Sequence, residues 1–431
     1  MAFRNANSIT VRFNQQHDNC ASIGKVIKSV FHSSMLPTAV VILPDNSSST
    51  AVGCLPIPPL MAQFNLYEDL LRKNLELIAD VAAAADVRII LALKAFAYWP
   101  AFPVFAEYLT GATASSLNEA KLINNHFGKP PQVYAPVYRP HEFAEIAALA
   151  GHLTFNTLTE LERHRETWER LGTNIGLRVN PEYSPVETAL YNPADPHGRL
   201  GETLPNLPAR PPKGLKGIHV HTLCESTAEN TATLIERVKA QFGHYLEQVE
   251  WLNLGGGHLM TKAGYDTDLL IKTLRKLRQR YPHLEVILEP GSAHLWGAGT
   301  LDSNVLDIVD NYGYRTLMLD VSFTCHMPDT LEMPYRPDVR GASKEAKPEF
   351  SYAYRLGGMS CLAGDYLAEY YFPQPIRVGD SIVFEDMAHY TTVKTTMFNG
   401  VPHPDIVLMD AHGEVTLRRS FGYTDYEARM G

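Results

Sequence analysis

From about residue 66 to residue 288 the chain alternates short apolar runs rich in β-formers with amphipathic helical stretches, and nothing else in the sequence constrains the fold as strongly. Eight such runs can be read, at 88–93, 111–114, 132–136, 152–155, 174–179, 217–221, 249–254 and 285–288. Between several of them lie helical patterns with apolar residues three and four apart, as at 159–171, 228–245 and 265–281. Eight parallel strands with outer helices close most economically as a (β/α)8 TIM barrel, so the class is α/β.

After Asp320 the texture changes to short β-like runs with Gly and Pro turns, at 376–378, 381–384, 405–408 and 414–417. That pattern predicts a C-terminal, antiparallel β domain of barrel-like kind. The expected division is a barrel over 66–310 and a β domain over 311–431, with a short segment at 55–65 adding a strand to the latter. Residues 1–54 are Ser-rich, with Arg4, Arg12, Lys25 and Lys28 against Asp18 and Asp45, and form an extension without an assigned role.

A formal charge of -9 and the absence of Lys/Arg clusters argue against a nucleic-acid partner and suit a cationic or zwitterionic small substrate. The apolar stretch 36–44 is interrupted by Pro37 and is far shorter than the ~20 residues of a membrane helix, so no span is expected. Five cysteines without a CxxC pair signal neither a disulfide framework nor a zinc knuckle, and the expected compartment is the cytoplasm.

Polar residues gather where the apolar runs end, and in a barrel of this kind those ends share one face, where chemistry is done. Lys94 follows the run Ile89-Ile90-Leu91-Ala92-Leu93; alone it would more often be a snorkelling lysine, but burial would favour the neutral amine that attacks an aldehyde. Gly255, Gly256 and Gly257 follow another run and leave bare amides for a phosphate, although many loops need glycine for turn geometry alone. Glu289 closes the eighth run, where a carboxylate can keep a pyridine nitrogen protonated or simply cap a helix. His219 and His221 are two apart on a strand; His221, nearer the end, could lie against a cofactor ring, and no third ligand supports a zinc site. Cys361 could return a proton in a loop shared with Asp365, against the ordinary reading of a small buried hydrophobe. Tyr390 offers a hydroxyl to a phosphate, or is a core aromatic.

Several strings carry a family likeness: Leu91-Ala92-Leu93-Lys94, His221-Thr222-Leu223-Cys224-Glu225, Asn253-Leu254-Gly255-Gly256-Gly257-His258, Thr324-Cys325-His326-Met327-Pro328-Asp329 and Glu385-Asp386-Met387-Ala388-His389-Tyr390. From about residue 65 onward the sequence resembles the ornithine and diaminopimelate decarboxylase group of pyridoxal-phosphate enzymes, and most of all its polyamine branch. The resemblance implies a cofactor joined as an imine to Lys94, ring stacking by His221 and a pyridinium salt bridge from Glu289. It also implies phosphate contacts from Gly255, Gly256, Gly257 and Tyr390. A homodimer with shared active sites is implied, the neighbouring chain supplying Cys361 and Asp365. The implied reaction removes the carboxylate of carboxynorspermidine or carboxyspermidine, with Glu332, Asp329 and Glu225 as candidates for the distal amines. Rival readings are an ornithine, lysine or diaminopimelate decarboxylase, a binding protein without catalysis, and a Schiff-base aldolase without cofactor. One departure is Ser292, where many relatives follow Glu-Pro-Gly with a charged residue.

Overall fold

The strands of the barrel are short because each crosses only the waist of the ring before handing its chain to a helix outside. The structure, a computed structural model, describes residues 61–431; the expected N-terminal extension, and 55–60 of the expected early strand, lie outside them. Parallel pairing runs around the ring from Arg88–Ile89 through Glu285–Leu288, Trp251–Asn253, Leu215–His219, Ile175–Asn180, His152–Phe155, Gln132–Tyr134 and Ala112–Ala114 to Leu91–Ala92. The two ends of that path belong to one run, interrupted at Ile90, so the sheet is a nearly closed barrel.

Helix starts are written locally. Thr227 and Asn230 form a reciprocal capping box for Ala228–Leu246, and Asp266 Oδ1 accepts the Leu269 N–H at the start of Thr267–Arg280. The helix Glu68–Ala85 stops at Asp86, whose φ of 55° ends the α conformation. The helix expected over 159–171 is two, Leu158–Arg163 and Arg165–Leu171, parted at His164. That ring stacks on Phe143 with centroids 3.9 Å apart, a contact that a helical periodicity does not announce.

The floor of the barrel is plugged by Trp251, stacked on His152 and donating from Nε1 to Asn174 Oδ1 at 2.8 Å. Gly176 and Gly217 make its room: a Cβ would lie 2.2 Å and 1.9 Å from the indole. Gly217→Ala is therefore expected to destabilise the protein by about 1–3 kcal/mol through overpacking, and Trp251→Leu in the same chain should recover part of that loss in thermal melts.

The second sheet is mainly antiparallel, ordered Tyr366–Phe372, Tyr352–Gly357, Tyr314–Leu319, Gly299–Asn311, Gln63–Tyr67, Asp405–Met409 and Val415–Arg419, with Ser381–Glu385 also on Gly299–Asn311. Two of its pairings are parallel, Gln63–Tyr67 with Asp405–Met409 and Tyr314–Leu319 with Tyr352–Gly357. Gly299–Asn311 already belongs to this sheet, so the chain changes sheets at Gly299 rather than at 311, because one long strand serves both Gln63–Tyr67 and Tyr314–Leu319. Residues 376–378 are loop and turn, not strand; Pro373 and Pro375 precede them and cannot donate to a ladder. Among the described residues, no helix is long and apolar enough to cross a membrane.

Candidate active site

Lys94 leaves the Leu91–Ala92 strand at the mouth of the barrel and sets its Nζ 3.0 Å from His221 Nε2. Burial lowers the amine's pKa, against the opposing pull of Glu289, and among the described residues no carboxylate lies within ion-pair distance. His221 is itself held well below its usual pKa, first by burial and then by Lys94 and Arg178. Its Nδ1 accepts the Gly256 N–H at 2.9 Å, which leaves the proton of the neutral ring on Nε2, facing the lysine. An amine whose charged form burial disfavours, set beside a fixed N–H donor, is a nucleophile held in place.

The glycine turn fits closely. Gly255 and Gly257 have φ of 68° and 93°, where side chains are strained. A Cβ on Gly256 would stand 2.6 Å from the Glu289 carbonyl oxygen, and one on Gly257 2.3 Å from Leu223 backbone. Across from this turn, a Cβ on Gly291 would meet Tyr390 Oη at 2.9 Å. Tyr390 adopts a φ of 58° and donates its backbone N–H to Ala95 O at 2.7 Å, so the residue next to Lys94 fixes it. Burial, with the nearby charges of Cys224, Asp329 and Glu225, raises its phenol pKa and keeps it a neutral donor.

Glu289 is nearly enclosed. Its Oε1 accepts Asn253 Nδ2 at 2.6 Å, and its Oε2 lies 3.7 Å from His219 Nε2. Burial raises its pKa, while Asn253 and then Lys94 oppose the rise. Arg178, beneath, donates from Nη2 to His221 O at 2.8 Å and stacks over Tyr134 at 4.8 Å. Neither Arg178 nor Asn253 was singled out from sequence as a site residue; a charge inside the otherwise apolar strand Ile175–Asn180 was the available signal for the first.

The remaining candidates are placed unevenly. Asp329 and Glu332, on Asp329–Glu332, both hold Lys394 Nζ, the latter at 2.7 Å, so these expected substrate carboxylates already share a cation. Glu225 is exposed at a φ of 43°. Cys361 is exposed, its backbone N–H donating to Asn399 Oδ1 at 2.8 Å, between the exposed Met359 and Leu362. Asp365 is buried, and its two oxygens accept the N–H groups of Thr324 and Ser360, each at 3.0 Å. It therefore ties its own loop to Thr324, and each oxygen keeps a further lone pair for another donor. Among the described residues no group of three or more His, Cys, Asp and Glu is arranged to hold a metal.

Buried lysine, bare glycine turn, neutral phenol and enclosed carboxylate together suit an aromatic aldehyde carrying a phosphate. A family model described as pyridoxal-dependent decarboxylase, C-terminal sheet domain, matches residues 64–388. A carboxyaminopropylagmatine decarboxylase of Synechocystis sp. is 49% identical over 89% of this chain and 100% of its own length. A carboxynorspermidine/carboxyspermidine decarboxylase of Campylobacter jejuni is 38% identical over 84% of this chain and 97% of its own. The crystal structure of carboxynorspermidine decarboxylase from Campylobacter jejuni, complexed with norspermidine, superposes with a TM-score of 0.79 at 36% identity, covering 85% of this chain and 99% of that one.

Proposed function

The chain belongs to the pyridoxal-dependent ornithine, diaminopimelate and arginine decarboxylase family, and we propose that it decarboxylates a carboxylated polyamine, carboxynorspermidine or carboxyspermidine, to norspermidine or spermidine. The observation that carries this reading is the Lys94 amine held against His221 at a barrel mouth that also presents the glycine turn and Glu289.

In this reading Lys94 would hold pyridoxal phosphate, and the glycine turn and the hydroxyl of Tyr390 would face its phosphate; of the turn, Gly257 is left to donate, because the N–H groups of Gly255 and Gly256 already donate to Asn253 Oδ1 and His221 Nδ1. Glu289 would keep the ring nitrogen protonated. Once bound, the cofactor supplies an electron-withdrawing ring that accommodates the electron pair left when carbon dioxide departs. His221 covers one face of that ring and keeps its Nε2–H turned to the lysine. The enzyme works as a cytoplasmic homodimer, and Cys361 of a second copy returns the proton; the exposed run Met359-Ser360-Cys361-Leu362 supports that arrangement, since exposed apolar residues on a loop suit burial against another chain.

Glu225 and Asp329 bear on Tyr390, and with Glu332 they outnumber the Lys394 ammonium that Asp329 and Glu332 share, so the net negative charge beside Tyr390 suits the distal ammonium of a polyamine. Glu332→Gln is expected to raise KM by about tenfold while kcat holds, since a hydrogen bond to a charged group contributes about 1.5–3 kcal/mol; an unchanged KM would remove Glu332 from the substrate site. A second reading, decarboxylation of carboxyaminopropylagmatine, is favoured by the relative that matches at 49% over its whole length. Its guanidinium would also suit paired carboxylates. Carbon dioxide release from carboxynorspermidine, carboxyspermidine, carboxyaminopropylagmatine, ornithine, lysine and diaminopimelate in parallel decides among them. Turnover confined to the last three would overturn the polyamine assignment.

A further inference from the structure

Asn253 is 2% exposed and ends the strand Trp251–Asn253, one residue before the glycine turn. Its side-chain oxygen accepts the Gly255 N–H at 2.8 Å and its side-chain nitrogen donates to Glu289 Oε1 at 2.6 Å. The orientation of the amide is not free. Gly255 offers a donor and so requires the oxygen; the nitrogen is then left for the carboxylate, with Gln132 Oε1 as a further acceptor at 3.3 Å. One side chain thus links the glycine turn to the Glu289 carboxylate.

We propose that Asn253 is a positioning residue that fixes the glycine turn and the Glu289 carboxylate relative to each other, so that both ends of the cofactor site are set by one amide. The inference rests on the pyridoxal reading. The groups that face Glu289 are Asn253, the hydroxyl of Thr113 and His219, with Lys94 and Arg178 at longer range. The Glu289 backbone N–H also donates to Gly255 O at 2.8 Å, so the two strand ends are paired already; among the side chains facing the carboxylate, Asn253 is the one that hydrogen-bonds the turn as well.

An isosteric change separates the two contacts. In Asn253→Asp one oxygen still accepts the Gly255 N–H, but the other faces Glu289 Oε1, and two carboxylates that close share one proton. While that proton is present it replaces the amide donor. When it leaves, as pH rises, the two charges repel and Glu289 is displaced.

The expected result is that Asn253→Asp binds pyridoxal phosphate about as well as the parent in titrations of cofactor-free protein followed by tryptophan fluorescence. Its kcat should match the parent at the acid end of the profile and fall along a new alkaline limb that the parent lacks. Asn253→Ala loses both contacts, so cofactor affinity and kcat should each fall about tenfold to a hundredfold with no new limb. Thermal melts of both cofactor-free variants serve as the fold control. A parent-like pH profile in Asn253→Asp, or full cofactor affinity in Asn253→Ala, overturns the proposal; equal loss of melting temperature in both with no new limb would make Asn253 merely structural. If the parent itself fails to take up pyridoxal phosphate, it is the pyridoxal reading that falls.

Discussion

Lys94→Ala is expected to lose decarboxylation by a factor on the order of 10⁴, the upper range for removing a group that handles the reacting atoms. Holding an aldehyde cofactor at this position would need the neutral lysine amine to be available near neutral pH. Two features of the site provide it. The environment disfavours the ammonium form, and the nearest polar neighbour, His221 Nε2, carries a hydrogen rather than a charge. Lys94→Arg should rescue nothing, since a guanidinium stays charged and cannot take the lysine's role. Unfolding does not explain such a loss: the lysine has no ion-pair partner within contact distance, so its removal strands no opposite charge and the melting temperature should hold. Borohydride reduction of the parent, followed by peptide mapping, should place the label on Lys94. Retained turnover in Lys94→Ala, or a label on another lysine, would end the proposed assignment.

The parts of this site that sequence discloses are those tied to strand ends. Lys94, His221, Gly255, Gly256, Gly257 and Glu289 each follow an apolar run, and parallel closure brings all such ends to one face, so their assembly needed no knowledge of side-chain contacts. Arg178 and Asn253 lie inside strands, and their roles depend on what stands across the barrel: His221 O for one, Glu289 Oε1 and Gly255 N for the other. Periodicity carries no such cross-barrel information. The pairing of Lys394 with Asp329 and Glu332 spans more than sixty residues and was equally hidden, as were the two backbone contacts of Asp365. In the second sheet, the long strand Gly299–Asn311 went unread because its outward residues turn polar toward Asp307 and Asp310 and dilute the β signal.

Acidification should unfold this protein through its buried histidines. His258, His294 and His326 are each held down to about 4, chiefly because burial disfavours the imidazolium. The backbone of Gly291 and Pro290 is the polar surrounding of the His294 ring and opposes the shift, His258 Nδ1 meets Thr231 Oγ1 at 3.0 Å, and His326 Nδ1 accepts the Ser322 N–H at 3.1 Å. Unfolded, the same rings titrate near 6.5. Between those two values the unfolded chain binds more protons than the folded one, so stability is full above about pH 6.5 and is lost as pH falls toward 4. Each ring contributes a slope of about 1.4 kcal/mol per pH unit within that window, hence about 4 kcal/mol per pH unit for the three. Glu160, Glu289 and Asp320, whose pKa values burial raises, work in the opposite sense and keep the net slope below that sum. Substitution isolates one ring from this background. His294→Leu places an apolar side chain among apolar neighbours, Phe105 among them, and should cut the acid-side loss by about 1.4 kcal/mol per pH unit in guanidinium unfolding series between pH 7 and 4.5. Parallel lines for parent and variant would mean that His294 is already protonated in the folded protein, and that its buried ring has a counter-charge the present geometry does not provide.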